Sequence, residues 1–364
     1  MPVVERVGAE RRRGAAKATA PARTPWAGAS RVRGLAYHLP PAQVRSDFVE
    51  EALLLEERFG VRRGTLERTT GVRTRHLADA DARPSDLAHA AALKALAAAD
   101  VDPADLDVVV YAAVYRDYAE PATAHVLQAR LGARGAFVFD VSNACLSMVN
   151  GILLVDSLIA TGRCRLGLVC GGELASEVLR ATHDALPGLD RAGLAALYPA
   201  LTCGDAGAAV VLEPQGPASG RGPRRGFVAF EFASHGEHAD LCVLEALQGQ
   251  PMRTDGRGLL EVGARMAGVA LERVLERSGW TKDDVDLVIP HQISVPATTR
   301  IFGELGLPLE KCHLVIDRFG NTAATTVPVA LAHAAETGRL RPGMKVVLAG
   351  LGSGVSVGFA SLVW

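Results

Sequence analysis

Apolar and polar positions along the chain alternate between two periods, and the alternation itself predicts a mixed α/β protein. A strand-like stretch from Val32 to Leu39 precedes a charged helix, Ser46 to Phe59, and a basic, turn-rich segment, Glu67 to His76. An Ala-rich helical pattern follows from Pro84 to Ala99, and then the stretch Asp105 to Ala113, apolar from Val108 on, reads as a buried strand. A second short apolar run, Ala136 to Val141, reads as another buried strand and stops at Ser142 and Asn143. A long apolar helix from Leu146 to Ala160 begins at once. Cys145 is thus predicted at a strand-to-helix junction, where the positive end of the helix dipole favours thiolate.

The same order of elements returns later. A helix over residues 264–278 leads into a strand from Asp283 to Ile289, and Leu106-Asp-Val-Val-Val matches Val285-Asp-Leu-Val-Ile with Asp107 and Asp286 standing 179 residues apart. Thr161-Gly-Arg lies 16 residues after Cys145, and Thr337-Gly-Arg lies 16 after Asn321. Each leads into an apolar strand, Leu166 to Cys170 or Lys345 to Ala349. Two matches in one order predict a duplicated helix–strand–loop–strand–helix–strand unit. The expected division is a basic, disordered tail at 1–30, an N-terminal half at 31–215 and a C-terminal half at 216–364. Cys145 and Asn321 are expected to be symmetry equivalents.

Composition narrows the function classes. A chain of 364 residues with 49% hydrophobic and 22% charged content can bury a large core, and more than one core is expected. With 39 basic and 40 acidic residues, no whole-chain field draws it to nucleic acid or to an anionic membrane. No apolar run reaches the roughly 18–20 residues of a membrane span. The six cysteines (145, 164, 170, 203, 242 and 312) have neither disulfide nor zinc spacing, which points to a reducing cytoplasm and no metal.

Three polar positions interrupt the apolar scaffold at strand ends or helix starts: Cys145, His291 in Ile289-Pro-His-Gln-Ile-Ser, and Asn321 in Phe319-Gly-Asn-Thr-Ala-Ala. Taken singly, each has a plainer reading as a core thiol, an interior histidine and a turn residue. Together they suit acyl transfer through a thioester, in which a thiolate attacks an acyl carbonyl while an imidazole and an amide hold an enolate.

These residues, with Gly320-Asn-Thr-Ala-Ala-Thr-Thr-Val-Pro328 and the closing Gly350-Leu-Gly-Ser-Gly354, resemble the thiolase superfamily in its beta-ketoacyl-ACP synthase III branch, over residues 31–364. Arg116-Asp-Tyr-Ala-Glu-Pro-Ala-Thr123 and Phe139-Asp-Val-Ser-Asn-Ala-Cys-Leu are most similar to the OleA-type thiolase of olefin biosynthesis. The resemblance implies an α/β thiolase fold, duplicated βαβαβ halves in five α-β-α-β-α layers, and a homodimer. It also implies Cys145, His291 and Asn321 as catalytic residues, and Glu120 of the partner subunit as a base. The oxyanion hole falls to the backbone of Cys145 and Ser353. Read alone, Glu120 is an exposed loop carboxylate.

The implied substrates are coenzyme A thioesters of fatty acids, or acyl carrier protein as donor, with no permanent cofactor. The implied reaction is head-to-head, non-decarboxylating joining of two fatty acyl-CoAs to a 2-alkyl-3-ketoacyl-CoA. A decarboxylating synthase III using malonyl-ACP stays open, as does an inactive scaffold or partner subunit. Type III synthases grip the adenine of CoA with a Trp and an Arg where this chain has Thr65 and Thr69. Met148, Leu201 and Met252 are expected around the acyl tunnel.

Overall fold

The strands sort into two five-stranded sheets with the same plan. The computed structural model describes residues 26–216, 225–245 and 249–364; the basic stretch at 1–25 lies outside the described residues. In the first sheet the order is Ser30–His38, Ala206–Pro214, Gly167–Glu173, Val108–Ala112, Phe137–Val141. In the second it is Trp26–Ala27, Gly226–His238, Gly354–Val363, Lys345–Gly352, Leu287–Pro290. Val108–Ala112 pairs in parallel with Gly167–Glu173, which pairs antiparallel with Ala206–Pro214. Leu287–Pro290 pairs in parallel with Lys345–Gly352, which pairs antiparallel with Gly354–Val363. The counterpart of Phe137–Val141 has shrunk to a single parallel bridge between Val288 and Cys312.

The matched aspartates do matched work. Asp107 Oδ2 accepts the N–H groups of Arg165 (2.7 Å) and Leu166 (2.9 Å), and Asp286 Oδ2 accepts that of Lys345 (2.8 Å). Each carboxylate fixes the start of the neighbouring parallel strand.

Burial on both faces explains the unbroken apolar runs. Val108, Val110 and Ala112 face the centre of the molecule, where helices Ser147–Ala160 and Thr326–Glu336 lie between the sheets. Val109 and Tyr111 face outward onto helices Pro84–Ala99 and Thr123–Leu131. Helices Gly256–Ser278 and Val295–Leu305 cover the outer face of the second sheet, against Val288, Val347 and Phe359. The result is the five-layered α-β-α-β-α arrangement expected of a thiolase fold. The Ala-rich helix sits so close to its sheet that a Cβ on Gly172 or Gly207 would come within 1.9 or 2.0 Å of the carbonyls of Pro84 and Leu87.

Four expectations need correction. Residues 26–30 are not tail: Trp26–Ala27 pairs with the second sheet, and Ser30 is buried with its N–H and Oγ donating to Asp156 at 2.7 and 2.6 Å. The charged helix breaks into Ser46–Ala52 and Leu55–Phe59, with Leu54 in the left-handed region (φ 53°). Phe137–Val141 is an edge strand rather than a buried one, and Phe137 is 67% exposed.

The fourth concerns the symmetry. Ala144 and Ala323 share the same left-handed φ of 48°, Ser147 Oγ donates to the Ala144 carbonyl (2.6 Å) and Thr326 Oγ1 to that of Ala323 (2.9 Å). These turns superpose at the strands' own offset of 179, so the counterpart of Cys145 is Ala324, and Asn321 corresponds to Ser142. The second central helix is shorter, 11 residues against 14. The Thr-Gly-Arg spacing measures from the helix C-termini, downstream of that deletion, and therefore pairs the wrong residues.

Candidate active site

Cys145, His291 and Asn321 all line one cavity of about 540 Å³ between the two halves. Its walls are mostly apolar, with Val114, Val178, Leu244, Met252, Leu259 and Ile293 among them, and Gly352 and Ser353 complete it near the thiol. Met148 and Leu201, expected around the acyl tunnel with Met252, are instead fully buried in packing clusters and do not line the cavity.

Cys145 stands two residues before helix Ser147–Ala160, on the turn that left-handed Ala144 allows. That turn is closed by Leu146 N–H to Asn143 O (3.0 Å) and Asn143 N–H to Ser147 Oγ (2.8 Å). Strand Lys345–Gly352 runs hard against it: a Cβ on Gly350 would lie 2.3 Å from Leu146 Cδ1, and one on Gly352 would lie 3.1 Å from Asn143 O. Small residues there let the Gly352–Ser353 backbone reach the Cys145 turn.

The electrostatics differ from the expectation of a dipole-favoured thiolate. Burial, then Cys242 and the Glu173 carboxylate, push the Cys145 thiol well above its ordinary range. Burial also lowers His291 to about 4, so its imidazole is neutral near pH 7, with Nδ1 lacking a partner among the described residues. The His291 backbone N–H donates to Ala349 O at 2.6 Å, anchoring the residue at the end of strand Leu287–Pro290. A neutral thiol and a neutral imidazole lining one cavity form a proton donor and acceptor that an arriving acyl donor can engage.

Asn321 is fixed by its own backbone. Its N–H donates to Thr202 O (2.8 Å), its carbonyl accepts from Gly204 N–H (3.0 Å), and Oδ1 accepts from Ala323 N–H (3.0 Å). The amide Nδ2–H₂ is the group left to serve a ligand.

Glu120 does not join this group. It is exposed, in the turn before helix Thr123–Leu131, and it does not line its own chain's cavity. The Asp140 carboxylate accepts the N–H groups of Thr123 and Ala124, both at 2.8 Å, and so ties the Glu120 loop to the edge strand.

Sequence reasoning missed a second cleft of about 600 Å³, lined by Arg62, Arg68 and Arg191 with Thr65, Thr69 and Tyr198. Tyr198 also lines the cysteine cavity, and its hydroxyl meets Thr69 Oγ1 at 3.0 Å. Arg62 and Arg68 beside Thr65 and Thr69 could have signalled it; Arg191 arrives only through tertiary packing.

Residues 67–195 match the family model of the thiolase N-terminal domain, and residues 275–364 that of the 3-oxoacyl-[acyl-carrier-protein] synthase III C terminal. The chain is 32% identical to the beta-ketoacyl-[acyl-carrier-protein] synthase III of Chelativorans sp. (strain BNC1), covering 92% of this chain and 99% of that one. It is 34% identical to that of Pseudomonas aeruginosa (strain LESB58), over 92% and 96%. Among solved structures, OleA from Xanthomonas campestris with cerulenin bound superposes with a TM-score of 0.87 at 29% identity, covering 93% of this chain and 98% of that one. An OleA variant with bound lauric acid and lauroyl-CoA gives 0.86 at 29%, over 92% and 99%.

Proposed function

The chain belongs to the beta-ketoacyl-[acyl-carrier-protein] synthase III family of the thiolase superfamily, and from that premise we propose that it joins two fatty acyl-CoA molecules head to head. It is a condensing acyltransferase of the thiolase type; the choice of second substrate is the proposal.

Cys145 is the nucleophile. As its sulfur attacks the thioester carbonyl of the first acyl-CoA, the thiol proton passes to the neutral His291 imidazole. The backbone N–H of Cys145 and the backbone at Ser353 hold the oxyanion, a type of contact worth about 3–4 kcal/mol in the transition state. Coenzyme A leaves as the thiol, taking the proton from His291, and the acyl group stays on Cys145. A second acyl-CoA then loses its α proton to Glu120 of the partner subunit. Its enolate oxygen takes hydrogen bonds from His291 and Asn321 Nδ2, and its α carbon attacks the acyl-cysteine carbonyl. The product is a 2-alkyl-3-ketoacyl-CoA, and the Cys145 sulfur leaves and is reprotonated.

The position of Glu120 carries this reading. A non-decarboxylating Claisen step needs a base, whereas a malonyl-using synthase makes its carbanion by losing carbon dioxide. Glu120 is exposed, outside its own cavity, and tied to the unpaired edge strand Phe137–Val141. That edge presents Phe137 and Phe139, whose rings lie 5.4 Å apart. A second copy pairing there covers the aromatics and carries Glu120 toward the neighbouring cavity. The lauroyl-CoA found in an OleA structure suits the apolar cavity here. The Arg62–Arg68–Arg191 cleft, which shares Tyr198 with the cavity, fits the phosphates of coenzyme A or the acidic face of a carrier protein.

The names of the curated relatives favour the second reading, a decarboxylating synthase taking malonyl-ACP. Purified protein given myristoyl-CoA alone should release free CoA and form the coupled product, with no need of a malonyl donor. Glu120→Ala should abolish coupling by about 10²-fold or more while Cys145 still gains one acyl mass. Carbon dioxide released from malonyl-ACP, with an indifferent Glu120→Ala variant, selects the second reading.

A further inference from the structure

Glu173 is fully buried at the end of strand Gly167–Glu173, and its carboxylate is shared between the two halves of the molecule. Oε1 accepts the N–H groups of Val114 (2.9 Å) and Ala324 (3.1 Å), and Oε2 accepts that of Tyr115 (3.1 Å). Val114 and Tyr115 begin the loop that runs on to Glu120. Ala324 closes the turn that begins at Asn321. Both loops border the cavity through Val114, Tyr115, Asn321 and Ala323. One buried carboxylate therefore fastens the loop leading to the base and the turn carrying the enolate-holding amide to a single rigid strand end. The counterpart of Glu173 at the strands' offset is Gly352, which has no side chain to send across. The brace exists on one side of the pseudo-symmetry only.

We infer that Glu173 is a positioning residue for the condensation step, holding the Asn321–Ala324 turn so that the Asn321 amide meets the enolate oxygen. This rests on the acyl-cysteine reading above. The inference runs through backbone geometry. Asn321 Oδ1 is already spent on the Ala323 N–H, so the direction of Nδ2 follows the pitch of that turn, and the Ala324 N–H to Glu173 bond sets the pitch. A shift of about 1 Å in such a donor can cost on the order of 10²-fold in rate. Every hydrogen bond Glu173 makes is one it accepts. Burial outweighs the three N–H groups that favour the carboxylate, and its acid is pushed up to about 8. The other titratable groups acting on this site are Cys145, Cys203, Tyr111 and Tyr115, with Asp205 just before the neighbouring strand Ala206–Pro214. A charge on Glu173 opposes a thiolate on Cys145, so the residue does not serve by activating the nucleophile.

The test is Glu173→Gln, which keeps the shape but turns one acceptor into a donor, with Glu173→Asp as the conservative partner. Acylation of Cys145 by acyl-CoA, followed by mass, should stay within about threefold of the unaltered chain. Formation of the condensed product should fall at least tenfold, in kcat rather than KM, and Glu173→Asp should recover part of it. On an Asn321→Ala background, Glu173→Gln should cost less than twofold more, because the two act through one another. Iodoacetamide labelling of Cys145 should shift to lower pH in Glu173→Gln, a readout that needs no condensation. Acylation and condensation falling together, additive costs in the double variant, or an unmoved labelling profile each overturn the inference. An unaltered chain that acylates Cys145 but couples no second thioester sinks the condensation reading instead, and the labelling profile still decides whether Glu173 bears its charge there.

Discussion

The turn 142–146 and the turn 321–325 have one backbone and two chemistries. Both place an alanine at φ 48°, both close with a Ser or Thr hydroxyl back to that alanine's carbonyl, and both open a central helix between the sheets. In the first turn the residue after the alanine is Cys145, facing the cavity; in the second it is Ala324, 1% exposed and packed into the central core. The useful residue of the second turn sits three positions earlier, at Asn321. A duplicated frame thus supplies two equivalent loops at one cavity, and divergence at different positions of each loop gives the proposed nucleophile on one side and the proposed hydrogen-bond donor on the other.

The bluntest way to break the comparison is to move the thiol. Cys145→Ala should abolish both acylation and condensation, a loss on the order of 10⁴-fold or more. Adding Ala324→Cys should restore neither, because a thiol at 324 lies in the core. Acyl mass recovered on position 324 would mean that the two turns present their side chains alike. Asn321→Ala is the complementary cut: condensation should drop by about 10²–10³-fold with acylation nearly intact, since the amide is engaged only when an enolate forms. Equal loss of both half-reactions would place Asn321 in the acylation step.

Acid should load the buried histidines next, and burial lowers His38 and His89 in the N-terminal half as well as those of the C-terminal half. His291 and His313 are both held to about 4, by burial first in each case, and His313 Nε2 lies 2.9 Å from His333 Nδ1, a contact that holds a single shared proton. All three belong to the C-terminal half. The unfolded chain takes up protons near 6.5 while His291 and His313 do not until near 4, and burial lowers His333 as well, so stability falls as pH falls through that window. Each such histidine contributes at most roughly 1.4 kcal/mol per pH unit. Denaturant midpoints measured from pH 7 to 4.5 should decline, and His333→Gln should flatten the decline. A flat profile in the unaltered chain would show that these histidines protonate as readily in the native protein as in the unfolded chain.

How much of this was legible follows from what each signal measures. The apolar runs report burial on two faces, so the strands, the central helices and the duplication could be read, and polar interruptions at strand ends marked Cys145, His291 and Asn321. The same runs do not distinguish an edge strand from an interior one, so residues 136–141 read as buried although Phe137–Val141 is an edge. A deletion inside a helix leaves both its ends looking regular, so the Thr-Gly-Arg spacing pairs Asn321 with Cys145 where the turns pair Ala324. Glu173 looks like an ordinary strand end, because its three donors come from loops up to 151 residues away. Arg191 and Tyr198 complete the cationic cleft by tertiary packing that no local spacing encodes.

The mildest test asks whether the two turns are equal in energy as well as in shape. A non-glycine residue in the left-handed region costs about 1–2 kcal/mol, and glycine there avoids that cost but loses roughly 0.5–1 kcal/mol in the unfolded chain. Ala144→Gly and Ala323→Gly should therefore each stabilise the protein slightly, by about 0.5–1 kcal/mol, and by similar amounts. Urea midpoints with unchanged slopes give the comparison directly. Opposite signs would show that one turn is held by its neighbours in a different well, and the neighbour that distinguishes them is Glu173, which grips Ala324. Repeating the pair on a Glu173→Gln background then separates the alternatives: a difference that vanishes there belongs to the brace, and one that survives belongs to the turns themselves.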